Sequence, residues 1–90
     1  MAVKINIPWF LQQASNGIAV TEVQGETVGD CLKSLIERFP RLGKELFDER
    51  GRLAPHVDIY ANGQSTHAEG LVKPVKDNDE LSILFIIGGG

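Results

Sequence analysis

The seven residues Leu81–Ile87, reading LSILFII, constrain this chain more than any other segment. A strand with one wet face alternates apolar and polar residues, so a nearly unbroken apolar run predicts a central strand covered on both faces. The run is far too short to cross a bilayer, which takes about 20 residues. A central strand needs neighbours on either side, and the rest of the chain has to supply them. The run is entered through the turn signal Asp77-Asn78-Asp79 and is followed by Gly88-Gly89-Gly90, the last three residues of the sequence.

Val3, Ile5 and Ile7 alternate with Lys4 and Asn6, predicting a first strand that stops at Pro8, which has no N–H to donate. The polar, turn-forming stretch Gln12–Gly17 leads into Ile18–Val23, a second strand that forms a hairpin with the first. Its register is open, because Val20 and Val23 both demand burial yet fall on opposite faces. Thr27 suits a helix N-cap, and Asp30 sits near the positive helix end. Val28, Leu32, Leu35, Ile36 and Phe39 then recur at helical spacing, with Asp30, Lys33, Glu37 and Arg38 on the other face. Pro40 disfavours helical geometry at Phe39 and ends the helix, while Leu42 and Leu46 fit a further short helical turn. Val57, Ile59 and Ala61 alternate with Asp58, Tyr60 and Asn62 in a third strand. Asn62-Gly63 is a strong hairpin signal, since both residues accept positive φ, and a short fourth strand is expected around Ser65–His67. Two strands, a helix, then more strands predict an α+β fold, a sheet packed against one helix.

Ninety residues allow one domain with a modest core. One cysteine excludes an internal disulfide, and with only two histidines no zinc cluster or other metal site is expected. Twelve acidic residues against nine basic ones, without a basic run, disfavour nucleic-acid binding. The N-terminal residues show no signal-peptide pattern, so a cytoplasmic location away from the membrane is expected. His56 and His67 fall on different elements and read as surface or partner-contact residues. Cys31 lies beside the apolar stripe of the helix and reads as a small core residue. Trp9 and Phe10 either anchor against the core or form a binding patch, and core anchoring is expected for at least one.

Residues 1–87 therefore read as the folded domain and 88–90 as a flexible glycine tail. Three glycines reach about 10 Å at ~3.3–3.6 Å each, and a chain without Cβ atoms threads a narrow channel. The reactive group of such a tail is the carboxylate of Gly90, although chain ends also fray without any role. A phosphate-binding loop is excluded, since no helix follows.

Several pieces carry a likeness: Ile7-Pro8 through Leu11, the helix opening Thr27-Val28-Gly29, the stretch Pro55–Gly63, and above all Gly70–Ile83 (GLVKPVKDNDELSI) with the closing Gly89-Gly90. In this order they resemble the β-grasp, ubiquitin-like sulfur carriers typified by MoaD and ThiS. The resemblance implies a mixed sheet on one main helix. It implies that an E1-like adenylyltransferase of MoeB or ThiF type consumes ATP to adenylate Gly90, which becomes a thiocarboxylate, with no cofactor bound by the carrier. Gly88 and Gly89 would form the thin tail, and Phe85, Ile86 and Ile87 the strand end that docks on a partner. Chain length points to the MoaD-like branch, whose acceptor is the large subunit of molybdopterin synthase. A ubiquitin-like modifier joined to lysines, or a carrier for thiamin, cysteine or tRNA thiolation, stays open beside it.

Two departures bear on the tail. The family's run before the glycine pair is proline-rich and ends in alanine, whereas Phe85-Ile86-Ile87-Gly88 stands here, so the tail is less preorganised. Aligning the final strand sets Gly88 at the alanine position and makes Gly90 the operative end, rather than Gly89. His67 stands where an arginine is common after the hairpin.

Overall fold

The apolar run becomes the middle strand of a five-stranded sheet in the computed structural model, which describes residues 1–86. The elements in chain order are β1 (Ala2–Asn6), a 3-10 helix (Trp9–Ser15), β2 (Val20–Gln24), α1 (Val28–Arg38), α2 (Arg41–Leu46), β3 (Val57–Ala61), β4 (Gln64–Ser65), a 3-10 turn (Gly70–Val72) and β5 (Glu80–Phe85). The sheet order is β2-β1-β5-β3-β4. β5 runs parallel to β1 and antiparallel to β3, and the two outer pairs are antiparallel. A mixed sheet of this order against one main helix is the β-grasp, ubiquitin-like architecture. Among the described residues no helix is long and apolar enough to cross a membrane.

α1 begins and ends where its sequence signals place it. The Thr27 hydroxyl accepts the Asp30 N–H at 3.1 Å, and Phe39 closes the helix before Pro40. A second donor of the first turn, the Val28 N–H, reaches the Lys73 carbonyl at 2.9 Å, so the segment after the 3-10 turn caps the helix from outside. Val28, Cys31, Leu32 and Leu35 are buried against Val3, Ile5, Ile59, Leu81 and Ile83 of the sheet. Cys31 is a core residue as its position predicts. Burial, with the negative charge of Asp30 as a smaller cause, pushes its thiol pKa up and keeps it protonated. The short turn expected at Leu42 and Leu46 is α2, with both leucines buried.

Four expectations are corrected. β5 is central in the sheet but not covered on both faces: Leu81 and Ile83 are buried, whereas Leu84 is 41% exposed and Ile86 54%. The helices lie on one face only, and the apolar character of the second half of the run belongs to a surface. The second strand is Val20–Gln24 rather than Ile18–Val23, and its register buries Thr21 and Val23 and exposes Val20. On that face Val23 joins the core, and the buried Thr21 hydroxyl accepts a bond from Arg38 Nη1 at 2.7 Å. Trp9–Ser15 is a 3-10 helix instead of an open turn. The fourth strand is Gln64–Ser65, since the chain turns in at Thr66, whose N–H and hydroxyl both donate to the Ile59 carbonyl at 2.9 and 2.8 Å.

The Asn62-Gly63 turn takes the predicted positive φ values, 51° and 85°. Asn62 also fixes the entry to β5. Its amide nitrogen donates to Asp79 at 3.0 Å, and its amide oxygen accepts the Glu80 N–H at 3.0 Å. The bond from Asn62 and a second from the Lys76 N–H hold the Asp79 carboxyl below the usual carboxylate range.

Candidate functional site

β1 and β5 are parallel, so both deliver their C-terminal ends to the same end of the molecule. At that end β1 passes through Pro8 into the 3-10 helix, and β5 passes through Phe85 to Ile86. The helix is pinned from below: Leu11 and Ser15 are buried, Ala14 packs on the core, and the Ser15 hydroxyl donates to the Ile18 carbonyl at 2.8 Å. With a repeat of three residues per turn, Leu11 and Ala14 share the inner side. Trp9 and Phe10 are left on the outer side.

The two aromatics correct the expectation of core anchoring. Trp9 is 81% exposed, the most exposed large apolar side chain among the described residues, and Phe10 is only partly covered. The cover on Phe10 is Phe85, with ring centroids 4.8 Å apart, while Trp9 meets Phe10 edge-on at 5.7 Å. On its other side Phe85 meets the His56 ring edge-on at 4.7 Å. Four rings, from the 3-10 helix, β5 and the turn before β3, thus form one row across the end of β5. The pairing of β5 with β3 sets Phe85 opposite Val57, and the Ile86 N–H donates to the His56 carbonyl at 2.7 Å. That bond pins Ile86, the last described residue, to the turn before β3.

Of the predicted site residues, the structure brings Phe85 and Ile86 to this end. Ile87, Gly88, Gly89 and Gly90 lie outside the described residues. Phe85 is half-buried within the ring row, and Ile86 presents its side chain to solvent. His56 joins the same place. His67 instead borders an apolar cavity of about 370 Å³ with Val28, Leu53, Pro55 and Leu71, which contains none of the predicted tail or docking residues. No group of three or more His, Cys, Asp or Glu side chains among the described residues is arranged to hold a metal ion.

Sequence reasoning missed the ring row for a definite reason. Trp9 and Phe10 are separated from His56 and Phe85 by tens of residues, and only the β1–β5 and β3–β5 registers bring them together. The available signal was the run Pro8-Trp9-Phe10-Leu11, where one of three large apolar residues can face inward in the first turn of a 3-10 helix.

The chain was compared with known proteins. The model of the ThiS family matches residues 11–90. A protein of Archaeoglobus fulgidus named "Putative sulfur carrier protein" is 29% identical over 91 residues, spanning 100% of both chains. Small archaeal modifier protein 3 of Haloferax volcanii is 34% identical over 65 residues, covering 71% of this chain and 70% of that one. A chain in the crystal structure of the Amycolatopsis orientalis BexX/CysO complex superposes with a TM-score of 0.88 at 29% identity, covering 98% of this chain and 99% of that one.

Proposed function

The chain belongs to the ThiS family of ubiquitin-fold sulfur carriers, and on that footing we propose that it carries sulfur as a thiocarboxylate on Gly90. The observation that carries this reading is the family match running through residue 90, beyond a central strand whose end carries a row of aromatic rings. A carboxylate is inert to nucleophiles until it gains a leaving group. In the proposed sequence the Gly90 carboxylate attacks the α-phosphorus of ATP on an E1-like enzyme, and pyrophosphate departs. A sulfide donor then attacks the acyl carbon, AMP leaves, and a thiocarboxylate remains. Glycine has no Cβ to shield that carbonyl. The carrier binds no cofactor in this scheme, and ATP is consumed by its partner.

The destination of the sulfur follows from the acceptor. The small-subunit role in molybdopterin synthase is the destination suggested by likeness to the MoaD branch. Thiamin, cysteine and tRNA thiolation use carriers of the same build. A second reading, attachment of activated Gly90 to lysines of other proteins, is favoured by the 34% identity to an archaeal modifier. The same activated acyl group serves both, since an amine displaces AMP as sulfide does.

Intact-mass measurement after co-expression with an E1-like adenylyltransferase tests both readings. The expected result is a gain equal to sulfur replacing oxygen, localised to the peptide containing Gly90. Adducts on lysines of other proteins would move the assignment to the modifier. If neither product forms, and removing Gly89 and Gly90 leaves partner function untouched, the chain is a β-grasp binding module.

A further inference from the structure

We propose that Trp9 is the anchor of a docking collar at the root of the tail, and that its partner is the ATP-dependent enzyme that activates Gly90. The inference deepens the sulfur-carrier reading and rests on it.

The first argument is placement. The fold does not need Trp9 where it is, since Leu11, Ala14 and Ser15 hold the 3-10 helix. Single exposed apolar residues are ordinary on a protein surface. Here, however, a tryptophan that is 81% exposed heads a continuous row with Phe10, Phe85 and His56. Tryptophan is among the residues most enriched at binding hot spots, because its large rigid surface is buried at little conformational cost.

The second argument is reach. Residues 87–90 extend at most about 14 Å beyond Ile86, at ~3.3–3.6 Å per residue. An active site that holds the Gly90 carboxylate brings its own rim within that distance of Ile86. The rings packed around Phe85, the residue before Ile86, are the apolar surface next to that rim.

The third argument selects the partner. An acceptor enzyme can recognise a thiocarboxylate by its sulfur. The activating enzyme meets a plain carboxylate, a group shared by every protein chain, and must choose this one by the folded surface beside the tail. Charge defines the complementary face. Phe10 borders a shallow depression with Arg41 and Lys44 set against the one carboxylate of Glu45. The activating enzyme is thus expected to offer an apolar slot for the indole with acidic residues at its edge.

The test is carrier-dependent ATP–pyrophosphate exchange with the E1-like adenylyltransferase encoded by the same organism, measured over a range of carrier concentration. Trp9→Ala is expected to raise KM for the carrier by about 30-fold, with kcat retained, because a binding contact remote from the reacting atoms has been lost. Trp9→Glu is expected to raise it further, and Arg41→Glu to raise it in a manner that fades at high salt. Val72→Ala, at an exposed site on the turn beside the start of α1, is the control and leaves KM unchanged. Melting curves of the Trp9 variants should match the parent. Unchanged KM in both Trp9 variants, with the parent chain adenylated normally, overturns the collar alone. A parent chain that is never adenylated overturns the carrier reading and the collar with it.

Discussion

Gly25 shows how a single position answers to packing rather than to pattern. A Cβ built there stands 2.8 Å from both the backbone nitrogen and the Sγ of Cys31. The first turn of α1 can therefore lie against the end of β2 only if residue 25 has no side chain. Gly25→Ala is expected to destabilise the chain by about 1–3 kcal/mol, read as a lower urea midpoint with an unchanged slope. Cys31→Ala in the same chain removes the thiol but not the backbone nitrogen. The double variant should stay less stable than Cys31→Ala alone, and equal stability would show that the thiol was the whole obstacle. Nothing in the sequence marks this glycine. Thr27 and Asp30 were legible because a cap is a local rule three residues long. Asn62-Gly63 was legible because positive φ has few tenants. The contest between Val20 and Val23 was not, because the inward face of β2 is met by other elements, where Val23 joins the core and Thr21 bonds to Arg38.

At the scale of elements, the strands and helices could be read from their periods, but β5 could not be read whole. One apolar run serves two ends: Leu81 and Ile83 enter the core, while Leu84 and Ile86 face outward. An unbroken run carries no period to reveal that split. β2 raises a different question, since it is an outer strand whose outward carbonyls invite pairing with another chain. The side chains of α1 occupy them. Arg38 Nη1 donates to the Glu22 carbonyl at 3.1 Å, and the Ser34 hydroxyl donates to the Gln24 carbonyl at 2.7 Å. Replacing Arg38 and Ser34 together by alanine should cost about 1–3 kcal/mol in stability. It should also produce concentration-dependent association in sedimentation velocity, where the parent stays a single species. A double variant with the parent's sedimentation at every concentration would show that α1 itself, rather than these two bonds, guards the edge.

At the scale of the whole molecule, the fold and the proposed reactive group are separable. Among the described residues the core draws on positions from Val3 to Ile83. The sheet nonetheless sets where the tail starts, because the Ile86–His56 bond fixes its root and the ring row fixes the surface that a partner meets. From a fixed root, tail length becomes a measured distance. Adding one alanine after Gly90 moves the carboxylate outward by ~3.3–3.6 Å. Displacements of about 1 Å from a near-attack position already cost about 100-fold in rate. The extended chain, and equally a chain lacking Gly90, should therefore show carrier-dependent pyrophosphate exchange reduced by at least ~100-fold, with an unchanged melting temperature. The deletion also separates the two glycine pairs: if Gly88 and Gly89 were the operative pair, removing Gly90 would preserve or raise exchange. Full exchange by both altered chains would mean that the partner grips the tail without regard to length, and the fixed root would then have no part in placing the carboxylate.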